Sequence, residues 1–159
     1  MPGEPVCTVI VFCDYIITEA NSGKNSLIGT FPNLASPTFP FLVQQFFVHA
    51  SISNFVPTGQ PINLAINLKQ QTSGSVVGSV GMPIMIPILK NQPQAPSGGQ
   101  IALNIPFKNV TFPAPGSYLC EVLFNGDEIG RRMLDLVQIP QRQMPFSPQS
   151  NPPMIPPQR

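Results

Sequence analysis

The sequence contains no tryptophan, a single histidine and two tyrosines, and charged residues make up only 9% of its 159 residues. Because about a quarter of the residues in an average globular domain are charged, this surface must consist largely of uncharged polar side chains and proline. Eight basic and seven acidic residues give a formal net charge of +1. A chain with so little charge offers no basic surface to nucleic acid or anionic membranes, and its copies repel one another weakly. The sequence therefore predicts neither of those partners and favours self-association.

Long hydrophobic runs are missing as well, since no stretch approaches the roughly 18 consecutive apolar residues that a membrane helix needs. The N-terminus has no basic run, and the apolar segment Val6–Phe12 meets Asp14 almost at once, unlike a signal peptide. Three cysteines without an export signal indicate reduced thiols, and a disulfide from Cys120 to Cys7 or Cys13 is the weaker alternative. We therefore expect a soluble, cytoplasmic protein.

Helical periodicity is absent because 21 prolines and 12 glycines interrupt the chain. Strand patterns are plentiful instead. In Ile62–Lys69 and again in Ile101–Phe107, branched apolar residues alternate with small or polar ones, as half-buried strands require. Pro83 and Pro87 cannot donate hydrogen bonds to a sheet, so they place the segment Val76–Leu89 at a sheet edge or in an irregular connection.

Two turn motifs indicate the type of all-β fold. The Pro-Gly-Ser-Tyr sequence that ends at Tyr118 resembles the tyrosine corner of Greek-key sandwiches, in which the tyrosine hydroxyl bonds back over the turn. Asn125-Gly126 lies between two strand patterns and fits a type I′ hairpin turn, whose two central residues both need positive φ. These motifs predict a β-sandwich.

Three further motifs are the segment Cys13–Ile17, the Gly-Lys-x-x-Leu-Ile-Gly turn around Lys24 and the Pro-x-x-Gly-x-Tyr turn at Tyr118. In these motifs the chain resembles a bacterial family of small immunoglobulin-like β-sandwich domains of unknown function. The resemblance extends over roughly residues 6 to 138, and most of the matching residues are turn and core types. The fold class predicted is an all-β, immunoglobulin-like Greek-key β-sandwich of about seven to nine strands. The resemblance implies a bacterial, intracellular setting and transfers no catalytic residue.

The composition changes at Pro140, so we expect a β-sandwich domain over residues 1–139 and a disordered proline-rich tail over residues 140–159. The tail has no strand pattern and cannot bury enough apolar surface to fold alone. It contains two proline pairs at the P-x-x-P spacing that docks into aromatic grooves, Pro145 with Pro148 and Pro153 with Pro156. The alternative is a linker that binds nothing.

Catalytic and metal-binding residues are scarce. His49 is the only histidine and lies in mid-strand beside Phe47. Cys7 and Cys13 lack the spacing of zinc ligands. Catalysis would require Asp14, His49 and a serine or cysteine to come within hydrogen-bond distance. The sequence therefore predicts no enzyme activity, no catalytic residue, no metal and no cofactor.

Structural roles are predicted for five residues. Asp14 interrupts an apolar strand and Lys24 occupies the next turn, so an ion pair, or a hydrogen bond from backbone to Asp14, is expected to hold the first hairpin. Solvation of a strand edge is the alternative for Asp14. The other three are the corner and turn residues Tyr118, Asn125 and Gly126.

The leading functional hypothesis is a non-catalytic structural or protein-interaction module that associates with itself or joins a larger bacterial assembly. Some strands stay apolar on their outer faces, which predicts Phe47, Leu119 and Leu123 as interaction residues. The alternative is a module that binds a small ligand or glycan with its end loops, using a pocket lined by Tyr15 or loop phenylalanines.

Overall fold

The computed structural model describes residues 4–86 and 99–141, which form nine β-strands and, within these ranges, no helix. Pro87 and the predicted tail from residue 142 onward, with Pro145, Pro148, Pro153 and Pro156, lie outside the described residues. The strands are β1 (Val6–Thr18), β2 (Asn25–Phe31), β3 (Asn33–Ser36), β4 (Phe41–Phe55), β5 (Pro61–Gln70), β6 (Val76–Met85), β7 (Gly99–Phe112), β8 (Gly116–Phe124) and β9 (Asp127–Gln138).

The strands make two sheets, one in the order β2-β1-β4-β7 and the other in the order β3-β9-β8-β5-β6. Neighbouring strands are antiparallel except β3, which runs parallel to β9. The chain crosses from one sheet to the other between β2 and β3, between β3 and β4, between β4 and β5, between β6 and β7 and between β7 and β8. The predicted all-β sandwich with Greek-key crossovers is therefore confirmed.

The core lies between the sheets and follows the alternation seen in the sequence. On β5 every second residue from Ile62 to Leu68 is at most 4% exposed, and on β4 every second residue from Phe46 to Ile52 is at most 1% exposed. Phe107 on β7 stacks on Phe46 with ring centroids 5.4 Å apart. Phenylalanine and branched side chains thus fill the interior, and their removal from water stabilises the fold.

Tyr118 forms a corner where β7 crosses to β8. Its side chain is fully buried, and its hydroxyl donates a 2.8 Å hydrogen bond to the carbonyl of Ala114. Its ring meets the edge of Phe112 with centroids 4.9 Å apart. The bond ties the incoming chain to the second sheet, which is the geometry of a tyrosine corner.

Asn125 and Gly126 form the turn between β8 and β9, with φ of 54° and 95°. Both values are positive, as a type I′ turn requires. The Asn125 side-chain oxygen accepts a 2.9 Å hydrogen bond from the backbone N–H of Asn63, and the N–H of Asn125 donates to the carbonyl of Asn63 at 2.7 Å. The turn therefore also fastens the last hairpin to β5.

The sheets approach each other closely along both sides of the sandwich. On one side a Cβ at Gly78 on β6 would lie 3.0 Å from the ring of Phe107 on β7. On the other side a Cβ at Gly130 on β9 would lie 2.6 Å from the Cβ of Cys7 on β1. Glycine at these two positions lets the two sheets approach each other closely.

We expect Tyr118→Phe to lower the free energy of unfolding by about 1 to 2 kcal/mol, because the Ala114 carbonyl loses its donor in a part-buried site. Tyr15→Phe is the matched control, since Tyr15 is 63% exposed and its hydroxyl has no hydrogen-bond partner among the described residues. Its change should stay within about 0.5 kcal/mol. Urea unfolding measures both variants, and equal effects would mean that the corner bond contributes nothing.

Candidate interaction surfaces

A hairpin formed by β1 and β2 leaves the four-stranded sheet. β1 pairs with β4 only as far as Cys13. The ladder between β1 and β2 continues beyond that point to Thr18 and Asn25. Residues 14–30, which we call the hairpin arm, therefore form a two-stranded ribbon that has no third strand.

The predicted ion pair between Asp14 and Lys24 does not form, because the two residues lie at opposite ends of the arm. Lys24 is at the tip, where its carbonyl accepts a 2.8 Å hydrogen bond from the N–H of Glu19. The extended chain from Asp14 to Glu19 spans about 17 Å. At the root, Gly29 has a φ of 66°, and a Cβ there would overlap the Asp14 carboxyl group. Asp14 thus packs against a position that only glycine suits.

The tip of the arm lies over the outer face of the four-stranded sheet. His49 on β4 is opposite Asn104 on β7, and the His49 Nδ1 is 2.7 Å from the Asn104 Oδ1. The Asn104 Nδ2 donates to the Oδ1 of Asn25 at 3.0 Å, and Thr18 Oγ1 donates to the same oxygen at 2.7 Å. In a flat sheet Asn25 and Asn104 would be about 25 Å apart, so the arm folds back sharply. We call these four residues the polar latch.

Cys13 lies at the root of the arm and has no exposed surface. It does not belong to the main core cluster, whose member on this part of β1 is Phe12. Burial raises the pKa of the Cys13 thiol, and the neighbouring Asp14 carboxylate raises it further. Phe47, a predicted interaction residue, is opposite Cys13 on β4 and half-buried. The region beside the root of the arm is therefore largely covered.

Leu119 and Leu123, the other two predicted interaction residues, lie on the outer face of the five-stranded sheet. Both are half-buried, with Leu119 opposite Met133 on β9 and Leu123 opposite Ala65 on β5. Phe47 lies on the outer face of the other sheet. The structure therefore does not bring the three residues together. Alternation along a strand predicts that a residue points outward, but it does not predict to which of the two sheets the strand belongs.

Glu121 separates the two leucines along β8 and is only 9% exposed although it lies on an outer face. Its carboxylate is 2.6 Å from the Nζ of Lys69 on β5. Sequence analysis missed this ion pair. The available signal was a charge at an outward position of each strand, and only the register between β5 and β8 brings the two charges together.

Exposed apolar side chains gather on the hairpin arm. Tyr15, Ile17 and Ile28 are 63%, 55% and 45% exposed. Tyr15 is directly opposite Ile28, and Ile17 points to the same side of β1 as Tyr15. We call these three residues the arm patch. Tyr15 therefore lies on an open ribbon and does not line a concave pocket.

Among the described residues, the His49 side chain is hydrogen-bonded to Asn104 and not to Asp14. Within residues 4–86 and 99–141, no three His, Cys, Asp or Glu side chains come close enough to hold a metal ion.

An open depression lies where β9 ends and is lined by Pro37, Ile139, Pro140 and Gln141, without an aromatic side chain. No helix in the described part of the chain is long and apolar enough to cross a membrane.

All three cysteines are free thiols. Burial raises the pKa of the Cys120 thiol to about 12, and Cys7 and Glu121 add to the rise while Arg132 opposes it. Burial also raises the pKa of the half-buried Cys7 thiol. Because the thiolate is the nucleophile, the raised pKa leaves Cys120 an inert core side chain at neutral pH.

The two sheets, the Greek-key crossovers and the corner at Tyr118 define an immunoglobulin-like β-sandwich domain. Residues 8–137 match the family of unknown function DUF6941, and the chain belongs to that family. No curated protein sequence matches the chain.

Three solved structures are similar to this chain. An alkylpurine DNA glycosylase AlkC from Pseudomonas fluorescens, bound to DNA containing an abasic site analogue, has 11% identity and a TM-score of 0.40 over 80% of this chain and 30% of that chain. A β-glucuronidase from glycoside hydrolase family 2 has 15% identity and a TM-score of 0.41 over 62% and 11%. An immunoglobulin-like protein from Pseudomonas aeruginosa has 11% identity and a TM-score of 0.37 over 85% and 98%. This chain thus spans a small part of the first two proteins, and no activity is inferred from any of the three.

We expect Asn104→Ala to loosen the arm, because it removes both hydrogen bonds that join His49 and Asn25. Labelling of the Cys13 thiol should then become roughly ten times faster, in proportion to the larger open population. Asn67→Ala is the matched control. Asn67 and Ser79 both lie on the five-stranded sheet, away from the arm, and Asn67 accepts a 2.6 Å hydrogen bond from Ser79. Alkylation followed by peptide mass spectrometry measures the rate, and equal rates in the two variants would contradict the latch.

The Cys120 thiol should make stability fall at alkaline pH. Its pKa rises from 9.0 in the unfolded chain to about 12 in the folded one, so its contribution is complete below about pH 9 and is lost between the two values. The slope should be about 1.4 kcal/mol per pH unit for this thiol. Cys120→Val should give a correspondingly shallower decline in urea unfolding above about pH 9. Parallel declines in the two proteins would contradict the burial of a neutral thiol.

Proposed function

We propose that this chain is a non-catalytic protein-interaction module that associates with copies of itself through the hairpin arm. The observation that carries the proposal is the arm patch, in which Tyr15, Ile17 and Ile28 expose about half of their surface side by side. Contiguous apolar side chains in water are a mark of interaction sites. A ribbon without a third strand has no core of its own to bury them.

The charge of the chain supports association with a second copy. Eight basic and seven acidic residues leave a net charge of +1, so two copies meet with little long-range repulsion. The arm patch itself consists of uncharged side chains. Two such patches have no charged group to desolvate when they come together.

The polar latch supports an interaction role because it fixes the arm before a partner arrives. Four side chains from β1, β2, β4 and β7 hold the tip on the sheet. A preorganised ribbon loses less conformational entropy on binding than a free hairpin does. Fixing the arm also holds its exposed side chains in one orientation.

The outer face of the five-stranded sheet suits an interface less well. Leu119 and Leu123 flank the ion pair between Glu121 and Lys69, whose lysine side chain is 33% exposed. A partner on this face would remove the lysine from water, and that desolvation offsets much of the gain from burying the leucines. The proposal therefore assigns association to the arm.

We further propose a bacterial, cytoplasmic setting and a place in a larger assembly. The three free thiols suit a reducing compartment. A small module that self-associates through its hairpin arm leaves its remaining surface available for other components.

Light scattering on a sizing column tests self-association. We expect a mass above that of one chain for the full protein at about 100 µM, and the same oligomer for a truncation that ends at Ile139. A monomer in both forms would contradict the proposal, and loss of the oligomer on truncation would assign association to residues 140–159.

Ile17→Ser should weaken the oligomer, whereas Val76→Ser is the matched control, because the two side chains are 55% and 53% exposed on different sheets. The dissociation constant should rise by roughly ten-fold for Ile17→Ser, the effect of about 1.4 kcal/mol of lost apolar burial. Equal dissociation constants for the two variants would remove the arm patch from the interface.

A further inference from the structure

We propose that the second copy binds edge to edge along β2, antiparallel to the first and related to it by a twofold axis that passes beside Ser26. This inference rests on the proposed self-association and names its interface. It joins the two hairpin arms into one four-stranded ribbon.

β2 is an edge strand whose free side is defined by its ladder with β1. The N–H of Glu19 donates to the carbonyl of Lys24, which makes these two residues a hydrogen-bonded pair. Because bonded and non-bonded pairs alternate in an antiparallel ladder, Ser26 and Ile28 bond to β1. The backbone N–H and C=O groups of Asn25 and Leu27 therefore point to the free side.

The other three edge strands carry features that block pairing with another chain. β6 contains Pro83, β7 contains Pro106 and Lys108, and β3 has only four residues. Proline, lysine and short length are the devices by which sheet edges avoid aggregation. β2 contains neither a proline nor a charged residue. Of the four strands at the sides of the two sheets, β2 is the one without these protections.

The register follows from the length of the regular part of β2. Gly29, with its φ of 66°, ends the extended run that begins at Asn25. A twofold axis beside Ser26 places Asn25 of each copy opposite Leu27 of the other, so both outward backbone groups of each copy are paired. Any other centre leaves one of them without a partner inside the extended run or relies on Gly29.

The same register joins the two arm patches. Ser26 is opposite Ile17 in the ladder between β1 and β2. Across the twofold axis the two Ser26 side chains lie next to each other, with an Ile17 on either side. The exposed isoleucines thus form a strip interrupted only by small hydroxyl groups, which supports a second copy as the occupant. Within the arm, the free edge of β1 carries the Asp14 carboxylate, whereas the free edge of β2 carries no charge.

Charge substitutions at Ser26 test the interface. Ser26→Lys and Ser26→Glu each place two like charges at the axis and should raise the dimer dissociation constant at least about ten-fold. An equal mixture of the two variants should recover the dimer, since opposite charges then meet, and a folding defect would not be rescued in this way. Ser79→Lys, at an exposed serine of β6, is the matched control and should leave the dissociation constant unchanged.

A cysteine at the axis gives a geometric test. Side chains directly opposite in a non-bonded pair have Cβ atoms about 4.5 to 5.5 Å apart, near the span of a disulfide. Full-length Ser26→Cys should therefore form a covalent dimer under mild oxidation, whereas Ser79→Cys and the wild-type chain should not.

The outcomes separate the two proposals. A wild-type chain that is monomeric at every concentration overturns self-association and this interface together. A wild-type oligomer that persists in Ser26→Lys, without crosslinking of Ser26→Cys, overturns the β2 interface and leaves self-association standing. An oligomer that forms only after removal of residues 140–159 would mean that the tail covers the edge in the full chain, which also overturns the inference.

Discussion

Burial of one side of every strand between two sheets is the constraint on which the rest of this structure depends. With 9% charged residues, the chain has few ion pairs to specify its fold, so register must come from the apolar alternation. A slip of one position on β5 would move Ile62 to Leu68 from the core to water. The hydrogen bonds of Asn125 to β5 and of Tyr118 to Ala114 lock the register at points where the chain turns.

The parts of the fold that depend on local patterns could be predicted from the sequence. The strands at Ile62–Lys69 and Ile101–Phe107, the type I′ turn at Asn125 and the corner at Tyr118 each rest on residues close together in the chain. Pro83 likewise lies in an edge strand, because proline lacks the N–H that a central strand needs.

The arm and its surroundings could not be predicted, since they depend on contacts between distant residues. Val9–Ile17 is apolar on both faces, so its alternation did not distinguish the covered side from the exposed one. The latch joins Asn25 to Asn104, and nothing near either residue signals the other. Asp14 and Lys24 were assigned to each other because they are close in sequence, but a long hairpin separates a residue at its root from one at its tip. The candidate interaction surface was therefore only partly anticipated, through the apolar outer faces of the strands.

The hairpin arm interrupts the chain between the first sandwich segment, Val6–Cys13, and β3, and the exposed side chains of its arm patch lie outside the core cluster. Changes of sequence in Tyr15, Ile17 or Ile28 therefore leave the packed interior untouched. The arm is in this respect a ribbon whose exposed face can change without altering the scaffold that carries it.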